Sequence, residues 1–134
     1  MTPNFILAYV SNPQKSAELY GNLLGLAPVE SSPNWAMFVL PNGVNLGLWS
    51  NREVQPSANT PGGVEIGFPV PTDDALRATA TDWKALGLRV IQEPTQMDFG
   101  LTFTAVDPDG HRLRVFAPSE TATTSRKQVE AAMA

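Results

Sequence analysis

The sequence contains no cysteine and only one histidine, His111. The absence of cysteine excludes disulfides, thiolate nucleophiles and cysteine-based zinc sites. With one histidine and no cysteine, the chain offers no Cys-His pair, and we recognise no Ser-His-Asp constellation. The common routes to nucleophilic catalysis are therefore missing from this sequence.

Positive charge and long apolar runs are also scarce. Nine Lys and Arg residues stand against 13 Asp and Glu residues, which gives a net charge of −4. This balance excludes the basic surface that nucleic acids and anionic membranes require. No apolar run approaches the roughly 20 residues that span a bilayer, and the N-terminus lacks the pattern of a signal peptide. We therefore expect a cytoplasmic protein that binds neither nucleic acid nor membrane.

What the chain does contain is a turn followed by a strand, present twice. Residues 107–116 begin with Asp-Pro-Asp-Gly-His and continue with alternating apolar residues, which is typical of a tight turn entering a β-strand. Residues 41–49 repeat the pattern, and Pro41 aligns with Pro108 without a gap through Trp49 and Phe116. The repeat indicates two copies of one module.

The first module reads as β-α-β-β-β. The predicted helix starts at Pro13 after Ser11 or Asn12 as the N-terminal cap, and it ends before Gly25. The predicted strands are 5–10, 26–30, 35–40 and 44–49, and residues 31–34 form a turn.

The second module repeats this order. Its predicted helix is capped by Thr72 or Asp73 and stops at Gly87. The predicted strands are 64–70, 88–92, 99–106 and 111–117, with a turn at 93–96. We therefore expect a first module over 1–50, a linker over 51–63, a second module over 64–118 and a flexible tail over 119–134.

Two β-α-β-β-β modules ending in Asp107-Pro108-Asp109-Gly110-His111 resemble the vicinal oxygen chelate superfamily, which includes glyoxalases, dioxygenases and bleomycin resistance proteins. The resemblance covers residues 4–118 and also rests on residues 10–12, Ser16 and Tyr20. It implies an α+β fold in which two βαβββ modules form curved mixed sheets with a concave cleft.

Metal-dependent members of that family take their ligands from the first and fourth strands of each module. The resemblance carries these positions to Phe5, Gly47, Glu65 and Arg114, of which only Glu65 is a metal donor. A divalent site needs three or four donors, so we expect no metal and no cofactor. His111 has the same strand parity as Leu113, so its side chain is expected to point away from the cleft. For His111 a structural role is therefore favoured over a ligand contact.

Strand parity from the aligned positions predicts the ligand-binding face. Its aromatic and apolar members offer stacking surfaces, its glycines leave room, and its charged members offer polar contacts. The predicted ligand-binding residues are Phe5, Leu7, Tyr9, Gly47, Trp49, Glu65, Gly67, Arg112, Arg114 and Phe116.

Structural roles compete with these assignments. Glu65 and Arg114 also suit an ion pair between neighbouring strands, and Trp49 and Phe116 also suit core packing. For Trp35 and Trp83 a structural role is favoured, because aromatic residues in strands and on helix faces usually pack.

Within the metal-free branch, the chain resembles the phenazine-antibiotic resistance proteins. The similarity lies in residues 9–12, 48–50, 65–67, 99–100 and 102–103, and in the final turn with Arg114 and Val115. It implies a homodimer that sequesters a planar aromatic, antibiotic-like molecule. The alternative is a glyoxalase, lyase or dioxygenase that uses an unusual metal or Glu65 as a base, and a member with a side-chain-filled pocket would bind no ligand.

Overall fold

A computed structural model describes residues 2–119. In this structure each of the two helices begins at one of the caps expected from the sequence. The Asn12 side chain accepts a hydrogen bond from the Lys15 amide at 3.1 Å, and Thr72 accepts one from the Ala75 amide at 3.1 Å. These bonds satisfy amides that have no partner inside the helix. Gly25 follows the first helix with φ +66°, the left-handed conformation that glycine adopts without strain.

The chain divides between Pro61 and Gly62 into two compact units. Unit 1 contains the elements β1 Phe5–Val10, α1 Pro13–Leu24, β2 Glu30–Ser32, β3 Trp35–Val39 and β4 Asn45–Ser50. Its sheet has the order β1-β4-β3-β2, in which only the β1–β4 pair is parallel.

Unit 2 repeats this plan. Its elements are β5 Glu65–Pro69, α2 Asp73–Ala85, β6 Arg89–Met97, β7 Gly100–Val106 and β8 Arg112–Pro118. The sheet order is β5-β8-β7-β6, again with one parallel pair, β5–β8. The predicted α+β fold of two βαβββ modules is confirmed. Except for Ser119, the predicted tail lies outside the described residues.

In each unit the helix covers one face of the sheet. Tyr20 of α1 is fully buried together with Phe38 and Leu48 of the unit 1 sheet. In unit 2, Trp83 of α2 makes edge-to-face contacts with Phe68 and Phe103 at centroid distances of 5.3 and 5.4 Å. The favoured structural role of Trp83 agrees with this packing.

The predicted strand 26–30 is wrong in its bounds. The first hydrogen bond of this segment to β3 is from the Val29 amide to the Met37 carbonyl, at 2.8 Å. The strand β2 itself covers only Glu30–Ser32. Pro28 has no amide proton to donate, which accounts for the late start of the strand.

The predicted turn over 93–96 is also wrong, because β6 runs through it. Pro94 lies in this strand within a register shift, between Gln92 and Thr95. Since β6 is at the edge of its sheet, a residue without an amide proton costs no ladder hydrogen bond there.

Residues after β4 are also held to unit 1. The amide of Asn51 donates to the Val10 carbonyl at 2.9 Å, and the Val54 amide donates to the Ser50 carbonyl at 3.2 Å. The Val54 side chain is only 3% exposed. This valine anchors the first residues of the segment expected to act as a linker.

Candidate ligand-binding faces

An apolar pocket lies on the face of the unit 1 sheet away from α1. Its volume is about 430 Å³, and it is lined by Phe5, Leu7, Trp35 and Trp49. Alternate residues of a strand share one face, so Phe5 and Leu7 project together from β1. The pairing of Trp35 with Trp49 across β3 and β4 brings both indoles to that same face.

The pocket contains three aromatic rings with Trp35 in the middle. The Phe5 and Trp35 rings are tilted by 31° at a centroid distance of 6.3 Å, whereas Trp35 and Trp49 meet edge to face at 6.0 Å. Phe5 and Leu7 are 42% and 44% exposed. The pocket therefore offers open aromatic and aliphatic surface, which suits stacking against a planar apolar molecule.

Gly47 does not leave the space that was predicted from the sequence. A Cβ atom at this buried position would lie 2.5 Å from Cη2 of Trp35 and 2.8 Å from Cδ2 of Leu7. The Trp35 ring fills the place of the missing side chain. The prediction of an open notch at Gly47 is wrong because a large side chain from the neighbouring strand lies over the glycine.

Trp35 is a pocket residue that was not predicted from the sequence. Its indole Nε1 donates a hydrogen bond to Oε1 of Glu30 at 3.0 Å, which fixes the direction of the ring. The hairpin centred on Asn42 contained the signal, because equal spacing about that turn pairs position 35 with Trp49. Trp35 therefore lines the pocket in addition to the packing role that was favoured.

Tyr9 lies opposite Trp49 in the β1–β4 register and is half-buried. It is not among the four residues that line the apolar pocket. A ligand contact by Tyr9 stays a prediction.

The corresponding face of unit 2 is charged. Arg114 binds Glu65 with two hydrogen bonds, Nε to Oε2 at 2.8 Å and Nη2 to Oε1 at 3.1 Å. Arg112 places its Nε 3.1 Å from the same Oε1. The ion pair considered as a structural role for Glu65 and Arg114 therefore forms, with a second guanidinium beside it.

Polar side chains of β6 and β7 hold Arg114 in place. Its Nη1 donates to Oε1 of Gln92 at 3.0 Å and to Oγ1 of Thr102 at 3.3 Å. Thr104 donates to the same Gln92 oxygen at 3.1 Å, and both threonines are fully buried. These three supporting residues were not predicted from the sequence, although the alternation of Thr102 and Thr104 in a strand was a visible signal.

The electrostatics of Glu65 follow from these contacts. The Arg114 hydrogen bonds lower the pKa of the Glu65 carboxyl, the charges of Arg114 and Arg112 lower it further, and burial opposes them. The pKa lies below its ordinary value of 4.5. At neutral pH the carboxylate is ionised and both of its oxygens accept hydrogen bonds or face a cation.

Next to this charged cluster the sheet is open above Gly67. This exposed glycine pairs with Arg114, and a Cβ there would meet only Cε1 of Phe116, at 3.4 Å. Phe116 in turn contacts Phe99 edge to face at 6.4 Å. The room expected at Gly67 is therefore present, bordered by an aromatic ring.

The residues at the positions that the resemblance assigns to metal ligands do not fit a divalent metal. Phe5 and Gly47 have no donor atom, and the carboxylate of Glu65 is engaged by two arginines. Within residues 2–119, no group of three or more His, Asp or Glu side chains is placed to hold a metal ion. The side chains at these positions therefore do not supply the donors that a divalent cation needs.

His111 belongs to the last turn. Its amide donates to Oδ1 of Asp107 at 2.8 Å, and the Asp109 amide donates to the same oxygen at 3.0 Å. Asp107 is buried, with 4% exposure. The backbone of His111 thus takes part in the turn, and the role of its side chain stays a prediction.

In the described part of the chain, neither helix has the length and apolar character needed to cross a bilayer.

Comparisons with known proteins agree with this architecture. The family model of the Glyoxalase/Bleomycin resistance protein/Dioxygenase superfamily matches residues 2–115. The phenazine antibiotic resistance protein EhpR of Enterobacter agglomerans is 36% identical over 118 residues, which span 86% of this chain and 91% of that protein.

Two solved structures extend the comparison. A protein of Agrobacterium tumefaciens determined by solution NMR is 50% identical, with a TM-score of 0.83 and coverage of 89% of this chain and 98% of that one. A glyoxalase-related enzyme from Fulvimarina pelagi is 24% identical, with a TM-score of 0.79 and coverage of 87% and 88%. The second likeness concerns the fold alone.

Proposed function

The chain belongs to the Glyoxalase/Bleomycin resistance protein/Dioxygenase superfamily, and from this premise we propose that it is a binding protein that sequesters a planar aromatic, antibiotic-like molecule without a metal. The observation that carries the proposal is the apolar pocket of unit 1, where three aromatic rings and Leu7 surround about 430 Å³. Its relative EhpR is named as a phenazine antibiotic resistance protein, and a phenazine is a flat aromatic ring system.

In this proposal the two faces have different roles. Trp49 and Phe5 supply stacking surface in unit 1, with Trp35 as the floor between them. Glu65 and Arg114 form a fixed polar pair in unit 2. The protein acts in the cytoplasm as a homodimer, and the remaining predicted residues of each face, including Tyr9, contribute contacts.

An enzyme that uses Glu65 as a general base is less well supported. A base must have a free oxygen with a pKa near the working pH. Both oxygens of Glu65 face guanidinium groups, and its pKa is lowered rather than raised. Sequestration asks for no proton transfer and fits this arrangement better.

Calorimetric titration with a panel of phenazines, with and without EDTA, tests the proposal. We expect saturable binding that EDTA does not change and recovery of the ligand chemically unaltered. Trp49→Ala should weaken binding by about 1–3 kcal/mol, roughly 5- to 150-fold, because one stacking surface is lost.

Trp83→Phe is the matched control, since Trp83 is 5% exposed and packs between Phe68 and Phe103. This variant should bind as the wild type does. Equal affinity in Trp49→Ala and wild type would contradict the stacking role, and conversion of the ligand would contradict sequestration.

A further inference from the structure

We propose that the open face of unit 2 is a carboxylate-binding recess in which Arg112 recognises the acid group of a planar aromatic carboxylate. The inference rests on the proposed function, which supplies a planar aromatic ligand, and it adds that this ligand carries a negative charge. The recess consists of Arg112, Glu65, Arg114, Gly67 and Phe116, all on one face of β5 and β8.

The charge of this face favours an anion. Two guanidinium groups, those of Arg112 and Arg114, face the single carboxylate of Glu65. One positive charge is therefore left without compensation on a chain whose net charge is −4. A local positive site on an acidic protein attracts an anion and gives no advantage to a cation.

The two arginines differ in the hydrogen-bond donors that they have left. Every nitrogen of the Arg114 guanidinium donates a hydrogen bond within the protein, to Glu65, Gln92 or Thr102. Arg112 comes close to Glu65 at Nε, which lies 3.1 Å from Oε1. Within residues 2–119 its Nη1 and Nη2 donate no hydrogen bond, and its side chain is 48% exposed. Arg112 therefore retains the free donors that Arg114 has already used.

The face beside Arg112 has room for a flat ring. Arg112, Arg114 and Phe116 alternate along β8 and share its open face. Gly67 lies in register with Arg114 and leaves the sheet uncovered between the charged end and the Phe116 ring. Arg112 lies two residues before Arg114 on β8, so its backbone is about 7 Å from this opening.

These features select a class of ligand. A flat ring over Gly67 meets the edge or face of Phe116, and a carboxylate on that ring reaches the Nη1 and Nη2 atoms of Arg112. A guanidinium matches two carboxylate oxygens with two parallel N–H donors. Glu65 repels a second anionic group at its own side, so an aromatic monocarboxylate fits better than a dianion.

The test compares two nearly isosteric probes, phenazine-1-carboxylate and its neutral amide, by calorimetry at pH 7. Wild type should bind the acid about tenfold more tightly than the amide, a modest factor because Arg112 is half-exposed. Arg112→Gln should lose this preference, because its affinity for the acid falls further than its affinity for the amide. Arg77→Gln, which removes an exposed arginine of α2 in the same unit, should keep the preference.

Glu65→Gln gives an independent readout. The variant removes the carboxylate that competes for Arg112, so the preference for the acid should increase. If Arg112 only stabilised the fold, this preference would not respond. An unchanged or smaller preference in Glu65→Gln, or an acid preference retained in Arg112→Gln, would overturn the carboxylate site.

The outcomes also separate the two proposals. Equal binding of acid and amide by wild type would overturn the carboxylate recess and leave sequestration of planar aromatics standing. Binding of neither probe, nor of any phenazine in the wider panel, would overturn both.

Discussion

The Trp35 indole lies where a side chain at Gly47 would be, since a Cβ at that position would come within 2.5 Å of Cη2. The two residues belong to neighbouring strands of one sheet, β3 and β4. Glycine is required here for the close approach of a ring and not for a special backbone angle. The floor of the apolar pocket is therefore formed by the Trp35 ring packed against Gly47.

Gly47→Ala should displace this floor. The new methyl group must push the Trp35 ring or the end of Leu7 away, and overpacking of this kind costs about 1–3 kcal/mol. We expect a lower free energy of unfolding in urea, a changed near-UV circular dichroism spectrum and weaker binding of planar aromatics.

Gly67→Ala is the matched control for that substitution. Its new Cβ meets only Phe116 Cε1 at an ordinary 3.4 Å, and a more restricted unfolded chain favours the folded state by about 0.4–1 kcal/mol. A Gly47→Ala variant as stable as Gly67→Ala would show that the Trp35 ring moves aside easily and does not form a fixed floor.

Stability should depend on pH through Glu65. The folded state lowers the pKa of this carboxyl below its ordinary value of 4.5, chiefly through the Arg114 hydrogen bonds. The ionised group therefore stabilises the protein above pH 4.5, and this contribution disappears as the pH falls through the folded-state pKa. Urea unfolding should show Glu65→Gln less stable than wild type at pH 7 and the two converging toward pH 3.

The exposed ion pair of Lys84 and Glu93 supplies the comparison for this experiment. Their side chains are 50% and 64% exposed, and surface pairs contribute little. Glu93→Gln should follow the wild-type curve at every pH. A stability gap for Glu65→Gln that stays constant from pH 7 to pH 3 would contradict the linkage to ionisation.

The last turn depends on Asp107. Its Oδ1 accepts hydrogen bonds from the amides of Asp109 and His111. Asp107→Ala leaves these donors without this partner and should lower the free energy of unfolding by about 1–3 kcal/mol. Asp107→Asn keeps a carbonyl oxygen at the same place and should cost less. Equal losses in the two variants would assign the effect to the charge and not to the hydrogen bonds.

Local chemistry in the sequence was sufficient for the modular fold. Asn12 and Thr72 cap helices because their side-chain oxygens reach amides three residues on, a relationship contained within a few residues. The repeated turn at Pro41 and Pro108 likewise predicted two matching hairpins. Pro94 misled the prediction because its cost depends on whether the strand is at an edge, and sheet order is a property of the whole unit.

The candidate site was predictable only in part, for a related reason. Strand parity placed Phe5, Leu7 and Trp49 correctly on one face, since parity follows from the period of the strand. It did not reveal what fills the space over Gly47, which depends on a side chain 12 residues away in the sequence. Contacts across strands decide such questions, and a single sequence shows them only through hairpin register.

The fixed position of Trp35 has a consequence for rates. Held by Glu30 and seated on Gly47, the ring has no rearrangement to make before a ligand enters. Association should then be limited by encounter and orientation, and related ligands should arrive at similar rates. Differences in affinity among them would arise mainly from how long each stays bound.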